Sequence, residues 1–382
     1  MSSLKSRGLF LREPGKLELV EVDVDDLLGE TARTDMFVVE TKACGICGSD
    51  LRYYRGENPW ALHTLGKNMP IDPNMILGHE IAGKVKDVRM ASDESRNGER
   101  VGVIAFKECG ECIDCVEGRH NLCGYCDHHG HGELREDGTR NSWQNFKYVP
   151  GGFSDYFTVW HEKAIPLPEN VDYVEATQLD GLAVATHAGN LINPTVGSTV
   201  LILGTGPIGY LSAQVAFSLG AGRVITTDLY DKPFEVLYDV AKGWKTCELN
   251  TINISKKEPV EEIMNITNEI GADGVIDTIG DKTTVPTGLK AVKRGGKMVI
   301  LGGFIEEIEN FKLSWLSGER QIMSSCNNLF PEYPQAVSML SQGKVKIKPM
   351  ITHTFKLDDY QEAFDVALNK EETGAIKVVI EP

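Results

Sequence analysis

The 382-residue chain has no stretch approaching 18 consecutive apolar residues and no long run of lysine or arginine. The first absence excludes a helix that spans a membrane. The second, with a formal net charge of -16, excludes the basic face that nucleic acid or an anionic membrane surface requires. The opening stretch, MSSLKSRGLFLREPGKLELV, lacks an apolar core of secretory type, so a cytoplasmic location is expected. Nine cysteines, an odd count without an export signal, argue against a disulfide framework and for metal or catalytic use. Internal repeats and low-complexity tracts are also absent. What remains is the composition of an ordinary soluble protein, in a chain longer than one hydrophobic core usually serves.

Two textures divide it. Up to about residue 165 the chain is rich in short β-type runs, such as Lys16 to Val22, Met36 to Thr41 and Arg100 to Ala105, broken by Gly and Pro. From about 185, apolar strands alternate with amphipathic helices, the pattern of βαβ units and a parallel sheet. Strands are expected at Thr199 to Leu203, Arg223 to Thr227, Asp273 to Asp277 and Lys297 to Leu301. After about 328 come a helix (Tyr333 to Gln342), a strand (Met350 to Phe355), a helix (Asp358 to Leu368) and a last strand (Ile376 to Ile380). The expected division is a first domain of residues 1–182 completed by 328–382, and a second of 183–327. The polar stretch Asp127 to Lys147, with His128, His129 and His131 beside Cys126, offers metal ligands. Its composition favours a solvated surface loop instead.

Cys109, Cys112, Cys115 and Cys123 fall within fifteen residues. Four thiolates can surround one tetrahedral Zn²⁺ and leave no open position, so this site is expected to be structural. An iron–sulfur cluster is the weaker competitor, since no electron-transfer feature accompanies it. The stretch Thr199-Val-Leu-Ile-Leu-Gly-Thr-Gly-Pro-Ile-Gly209 sets a G-x-G-x-x-G turn directly after a strand and before a helical pattern. Gly204 permits the tight turn, Gly206 lets backbone approach a pyrophosphate, and Gly209 permits close helix–sheet packing, with Pro207 and Ile208 between them. The helix N-terminus offers N–H groups to the phosphates. Asp228 closes the second strand where a carboxylate accepts from ribose hydroxyls and repels a 2′-phosphate. NAD is therefore expected rather than NADP.

Three further contexts carry ligand-type residues: Cys47, the Gly78-His-Glu80 turn, and Asp180. With Gly45-Ile-Cys-Gly-Ser-Asp50, Gly78-His-Glu-Ile-Ala-Gly83, the four-cysteine lobe, Gly151-Gly-Phe-Ser-Asp-Tyr156 and the dinucleotide fingerprint in this order, the whole chain resembles the zinc-dependent medium-chain alcohol dehydrogenases. It is most similar to their sorbitol, threonine and sugar dehydrogenase branch. The resemblance implies a GroES-like β-barrel catalytic domain closed by the C-terminal tail, an inserted Rossmann domain, and an active site in the cleft between them. It implies two zinc ions per chain. For the catalytic one, Cys47 and His79 would be ligands, with the third place open between Glu80 and Asp180. A Glu-Pro pair stands in polyol-type relatives where this chain has Asp180-Gly181.

By the same resemblance Asp50 would hydrogen-bond His79 and fix its tautomer, and Ser49 would take the substrate proton. Hydride would then pass to NAD. Arg52 stands where many relatives carry a proton-relaying histidine, and a guanidinium cannot relay. Tyr53 and Trp60 are either cleft or core aromatics, and Cys44 a small buried thiol. The implied activity is oxidation of a secondary alcohol of a polyol or sugar by a homodimer or homotetramer. The alternatives are a threonine-type hydroxy amino acid dehydrogenase and a non-catalytic NAD-binding relative.

Overall fold

The computed structural model describes residues 4–29, 35–88, 95–135, 137–140, 142–302, 307–309 and 311–382, the side chains of 63–65 excepted. The chain forms two compact units, Met1–Asp180 with Ile351–Pro382, and Gly181–Met350.

In the first unit, strands Met36–Gly45 and Glu80–Val88 run antiparallel at the centre of a sheet. Arg100–Val103 and Ala164–Pro166 continue it on one side, Lys377–Glu381 and Ile351–Lys356 on the other, and Tyr156–Trp160 pairs with Met36–Gly45. The central strand is apolar on both faces, with the consecutive residues Met36, Phe37, Val38 and Val39 fully buried. It therefore lacks the clean alternation of a half-exposed strand. Phe153, Phe157, Phe364 and Trp143 fill the core around it. The register sets Gly45 opposite Glu80, while Val379 pairs with Gly45 from the other side. The end of one strand, the start of its neighbour and the last strand of the chain thus meet at one edge.

The second unit is a six-stranded parallel sheet. Its order across the sheet is Glu248–Asn253, Arg223–Asp228, Thr199–Leu203, Ala272–Asp277, Val292–Ile300 and Gln321–Ser324. Strand order reverses at Thr199–Leu203, the topological switch point where doubly wound sheets bind ligands beyond the strand ends. The four expected strands are present; the two edge strands carry too few apolar residues to stand out in the sequence.

The return to the first unit differs from the expected residue 328. Residues 328–350 stay with the second unit, because Glu332 accepts from His187 and Asn190, both at 3.0 Å. The Lys346 carbonyl likewise accepts from Tyr210 Oη at 2.8 Å and Gln214 at 3.2 Å. Crossing back happens only at Ile351. Among the described residues no helix is long and apolar enough to cross a membrane.

Candidate active site

Cys47 follows the strand that ends at Gly45, and His79 precedes the strand that begins at Glu80. The antiparallel register therefore converges Cys47 and His79, which lie far apart in sequence. One ligand atom from each of Cys47, His79 and Glu80 lies within 4.8 Å of the others. Asp180, in the first turn of the helix Leu179–Ile192, falls outside this set. Ser49 Oγ stands 3.4 Å from His79 Nε2. Burial alone would lower the His79 pKa, but the charges of Asp50 and Cys47 raise it to about 10. The mixed thiolate, imidazole and carboxylate donors of the centre suit zinc. Three donors leave a fourth position.

Asp50 does not act as the resemblance implied. Its nearest approach to His79 Nδ1 is 3.7 Å, and among the described residues that nitrogen has no hydrogen-bond partner. Instead the fully buried carboxylate accepts from the amides of Cys47, at 2.8 Å, and Gly78, at 3.3 Å. One side chain thus ties together the two backbone segments that deliver the sulfur and the imidazole, and it acts on the ring through charge. Burial raises the carboxyl of Asp180 to about 6.

Two residues absent from the sequence reading complete the centre. Lys377, only 4 % exposed, donates to Glu80 Oε1 at 2.5 Å, and Gln178 Nε2 donates to Oε2 at 2.8 Å. Burial alone would raise Glu80; Lys377 and His79 hold it below the ordinary carboxylate range. Burial alone would lower Lys377, but its hydrogen bond to Glu80 and the charges of Glu80, Cys47 and Asp50 together raise it. The sole signal in the sequence is a lysine at the head of the apolar run Val378-Val-Ile380. Gly45 makes this arrangement possible: a Cβ there would lie 2.1 Å from Glu80 Oε2. Arg52 donates to Glu57 at 2.7 Å, and Tyr53 is a fully buried core aromatic whose hydroxyl donates to Asn58. Trp60 is half-buried. Cys44 is fully buried, and burial raises its thiol well above the ordinary value.

The expected surface loop is overturned at its histidines. His129 is fully buried, with its two ring nitrogens 3.0 Å from the Ala105 carbonyl and 2.7 Å from that of Thr158. His128 is half-buried and His131 buried, stacked on each other beside His79. A short pairing of Phe106–Lys107 with Asp127–His128 turns this segment inward, which a composition of polar residues does not reveal. Burial holds His128 at about 3 and His129 at about 4. Among the described residues they form no metal-ligand group with Cys126.

The sulfurs of Cys109, Cys112, Cys115 and Cys123 make a second group within 4.8 Å. Separations of 3.5 Å (Cys112–Cys115) and 3.9 Å (Cys109–Cys115, Cys112–Cys123) match the edges, about 3.8 Å, of a tetrahedron with Zn–S arms of about 2.3 Å. The Cys109 thiol is lowered to about 7, chiefly by the amide of Glu111. Ile113, Val116 and Tyr125 are 67, 71 and 77 % exposed, so the lobe has no apolar core and only the sulfurs converge.

In the second unit Gly204 has φ +86°, in the left-handed region that favours glycine. A Cβ at Gly209 would meet the Gly204 carbonyl at 1.8 Å, whereas one at Gly206 would meet nothing within 4 Å. The first glycine is thus fixed by the turn, the third by helix–strand packing, and the second faces open space, as close approach of a pyrophosphate to backbone requires. Pro207 and Ile208 open the helix Pro207–Ser218, and Asp228 Oδ2 accepts from the amide of Thr205 at 2.9 Å.

Known proteins carry both halves. The model of the alcohol dehydrogenase GroES-like domain matches residues 33–169, and that of the zinc-binding dehydrogenases residues 207–342. Sorbitol dehydrogenase of Bacillus subtilis is 29% identical over 95% of this chain and 94% of its own. An L-threonine 3-dehydrogenase of Coxiella burnetii is 29% identical over 90% and 91%. The crystal structure of L-idonate 5-dehydrogenase from Escherichia coli superposes with a TM-score of 0.80 at 26% identity, covering 100% of this chain and 99% of that one. A GroES-like unit and a Rossmann unit, matched in that order over most of the chain, make this protein a member of the zinc-dependent medium-chain alcohol dehydrogenases, oxidoreductases that use NAD.

Proposed function

We propose that the protein oxidises a secondary alcohol of a polyol or sugar with NAD, using Cys47, His79 and Glu80 to hold a catalytic zinc. The observation that carries this reading is the convergence of those three donors with Ser49 beside His79. A zinc ion held there supplies Lewis acidity that lowers the pKa of the substrate alcohol toward neutrality. Ser49 Oγ is the hydroxyl placed to accept the alcohol proton while passing its own to a cofactor ribose hydroxyl and on to water. Asp50 keeps the Cys47 and Gly78 segments in register and adds negative charge without spending a ligand position. Lys377 offsets part of that charge through Glu80, which leaves an anionic substrate oxygen less repelled.

Glu80 is favoured over Asp180 as the third donor by its distance. Asp180 is then a nearby carboxyl, not a ligand. The lobe sulfurs Cys109, Cys112, Cys115 and Cys123 suit a second, structural zinc. Gly204, Gly206, Pro207, Ile208 and Gly209 suit the NAD pyrophosphate, and Asp228, already oriented by Thr205, suits the ribose hydroxyls. Residues 1–180 with 351–382 correspond to the catalytic domain and 181–350 to the cofactor domain. The names sorbitol and L-idonate dehydrogenase among its relatives support a polyhydroxylated substrate. The threonine-type reading rests on the L-threonine 3-dehydrogenases of Coxiella burnetii strains among its relatives and on no residue seen in the site.

The net charge of -16 and nine cysteines without a disulfide support a cytoplasmic enzyme acting on a small molecule, with neither nucleic acid nor membrane as partner. A homodimer or homotetramer is the proposed assembly. The test is NADH formation across polyols, aldonates, simple secondary alcohols and threonine, with and without chelator. Chelator-sensitive turnover of polyols or sugar acids is expected; turnover of threonine alone would overturn the substrate class.

A further inference from the structure

His131 is buried beside the candidate metal ligands, 9 % exposed, and among the described residues neither ring nitrogen has a hydrogen-bond partner. An imidazole carries two hydrogen-bonding nitrogens in any protonation state. Leaving a buried polar group unpaired costs about 1–3 kcal/mol, so both nitrogens stand available to a water or a bound ligand.

The ring's position is built in, not accidental. His131 stacks on His128 at 4.0 Å with 9° between planes, and meets the His79 ring edge-on at 4.7 Å. Tyr53, fully buried, closes the other side at 5.2 Å. The turn that carries it is fastened at three amides: His129 N to the Ala105 carbonyl, Gly130 N to that of Pro150, and His131 N to that of His128. Gly130 has φ +67°, and a Cβ there would strike the Gly78 carbonyl at 2.7 Å. This glycine lays the turn directly on the backbone that delivers His79. His128 spends Nδ1 as donor to the His129 carbonyl at 2.9 Å. Asn58, whose Oδ1 accepts from Tyr53 Oη, has an unpartnered buried Nδ2 in the same neighbourhood.

We propose that His131, with His128 stacked on it, forms a subsite for a substrate hydroxyl adjacent to the one that is oxidised. A hydroxyl both donates and accepts, which matches an imidazole better than a carboxylate or an ammonium does. The inference rests on the polyol reading and narrows it to vicinal diols. A site whose buried polar groups await a hydroxyl discriminates strongly against the analogue that lacks it, because binding the analogue seals those groups unpaired.

The test compares kcat/KM for 2,3-butanediol and 2-butanol in the holoenzyme and in His131→Phe, which keeps a stacking ring and removes both nitrogens. The diol-to-monohydric ratio is expected to fall about 10- to 100-fold, the loss of one or two hydrogen bonds. His131→Gln, which restores a donor and an acceptor, is expected to recover part of that ratio. The dissociation constant of the diol from the NADH-bound holoenzyme, measured by calorimetry, should weaken in parallel. An unchanged ratio in His131→Phe and in His131→Leu would overturn the subsite. So would loss of a third zinc ion from either variant, which would make the imidazoles metal ligands. If the wild-type enzyme oxidises 2-butanol but no diol or polyol, the substrate class itself fails; if it prefers diols and the variants keep that preference, only the subsite does.

Discussion

The two metal-ligand groups of this protein are built in opposite ways. The four sulfurs of the 109–123 lobe come from one short segment whose apolar side chains point outward. Cys47, His79 and Glu80 come from two strand ends, and the carboxylate is gripped by Lys377 from the last strand of the chain. A metal on the first group would organise a segment that cannot pack itself, so metal and local fold would depend on each other. The second inherits its geometry from a sheet that is packed without it. Closed coordination braces and open coordination reacts, and the source of the ligands, local or distant, follows that division.

The largest expected effect is at the open site. Cys47→Ser should lower kcat/KM by about 10³-fold or more and remove one zinc per chain. The far-ultraviolet spectrum and thermal midpoint should stay near wild type. If midpoint and activity fell together, the sheet would depend on the metal after all. Cys115→Ser should do the reverse. Loss of the other zinc ought to lower the thermal midpoint by about 10 °C, read by calorimetry, while initial turnover of freshly prepared enzyme remains within a few-fold.

A smaller effect sharpens the carboxylate assignment. Glu80→Gln leaves the buried Lys377 ammonium without its counter-charge, which should cost about 3–5 kcal/mol in urea unfolding and reduce zinc content. Asp180→Asn should leave zinc content at wild-type level. The reverse pattern would make Asp180 the ligand. Smallest of all is Cys44→Ala, which removes a buried thiol packed against Gly78 and Gly152. About 1–2 kcal/mol of stability should be lost, with zinc content and kcat unchanged.

What the sequence disclosed followed the same division. The lobe and the glycine turn were readable because their chemistry is contiguous and their spacing carries the geometry. Central strands such as Thr199–Leu203 announced themselves through unbroken apolar runs. The edge strands Glu248–Asn253 and Gln321–Ser324 did not, since a strand with one neighbour and exposed faces keeps polar residues. Cys47 and His79 were named through family resemblance, for no spacing rule joins residues 47 and 79. Lys377 escapes altogether, and His131 stands out only as one of three candidate ligands in a stretch whose composition favours a surface loop. A lysine nearly 300 residues from its partner, and a histidine in a polar stretch, look like solvated side chains until tertiary pairing turns them inward.

Zinc stoichiometry by elemental analysis of the wild-type protein, Cys47→Ser and Cys115→Ser tests the two-site account most directly. Two ions in the wild type and one in each variant are predicted. One ion in the wild type, or loss of both from Cys47→Ser, would contradict it.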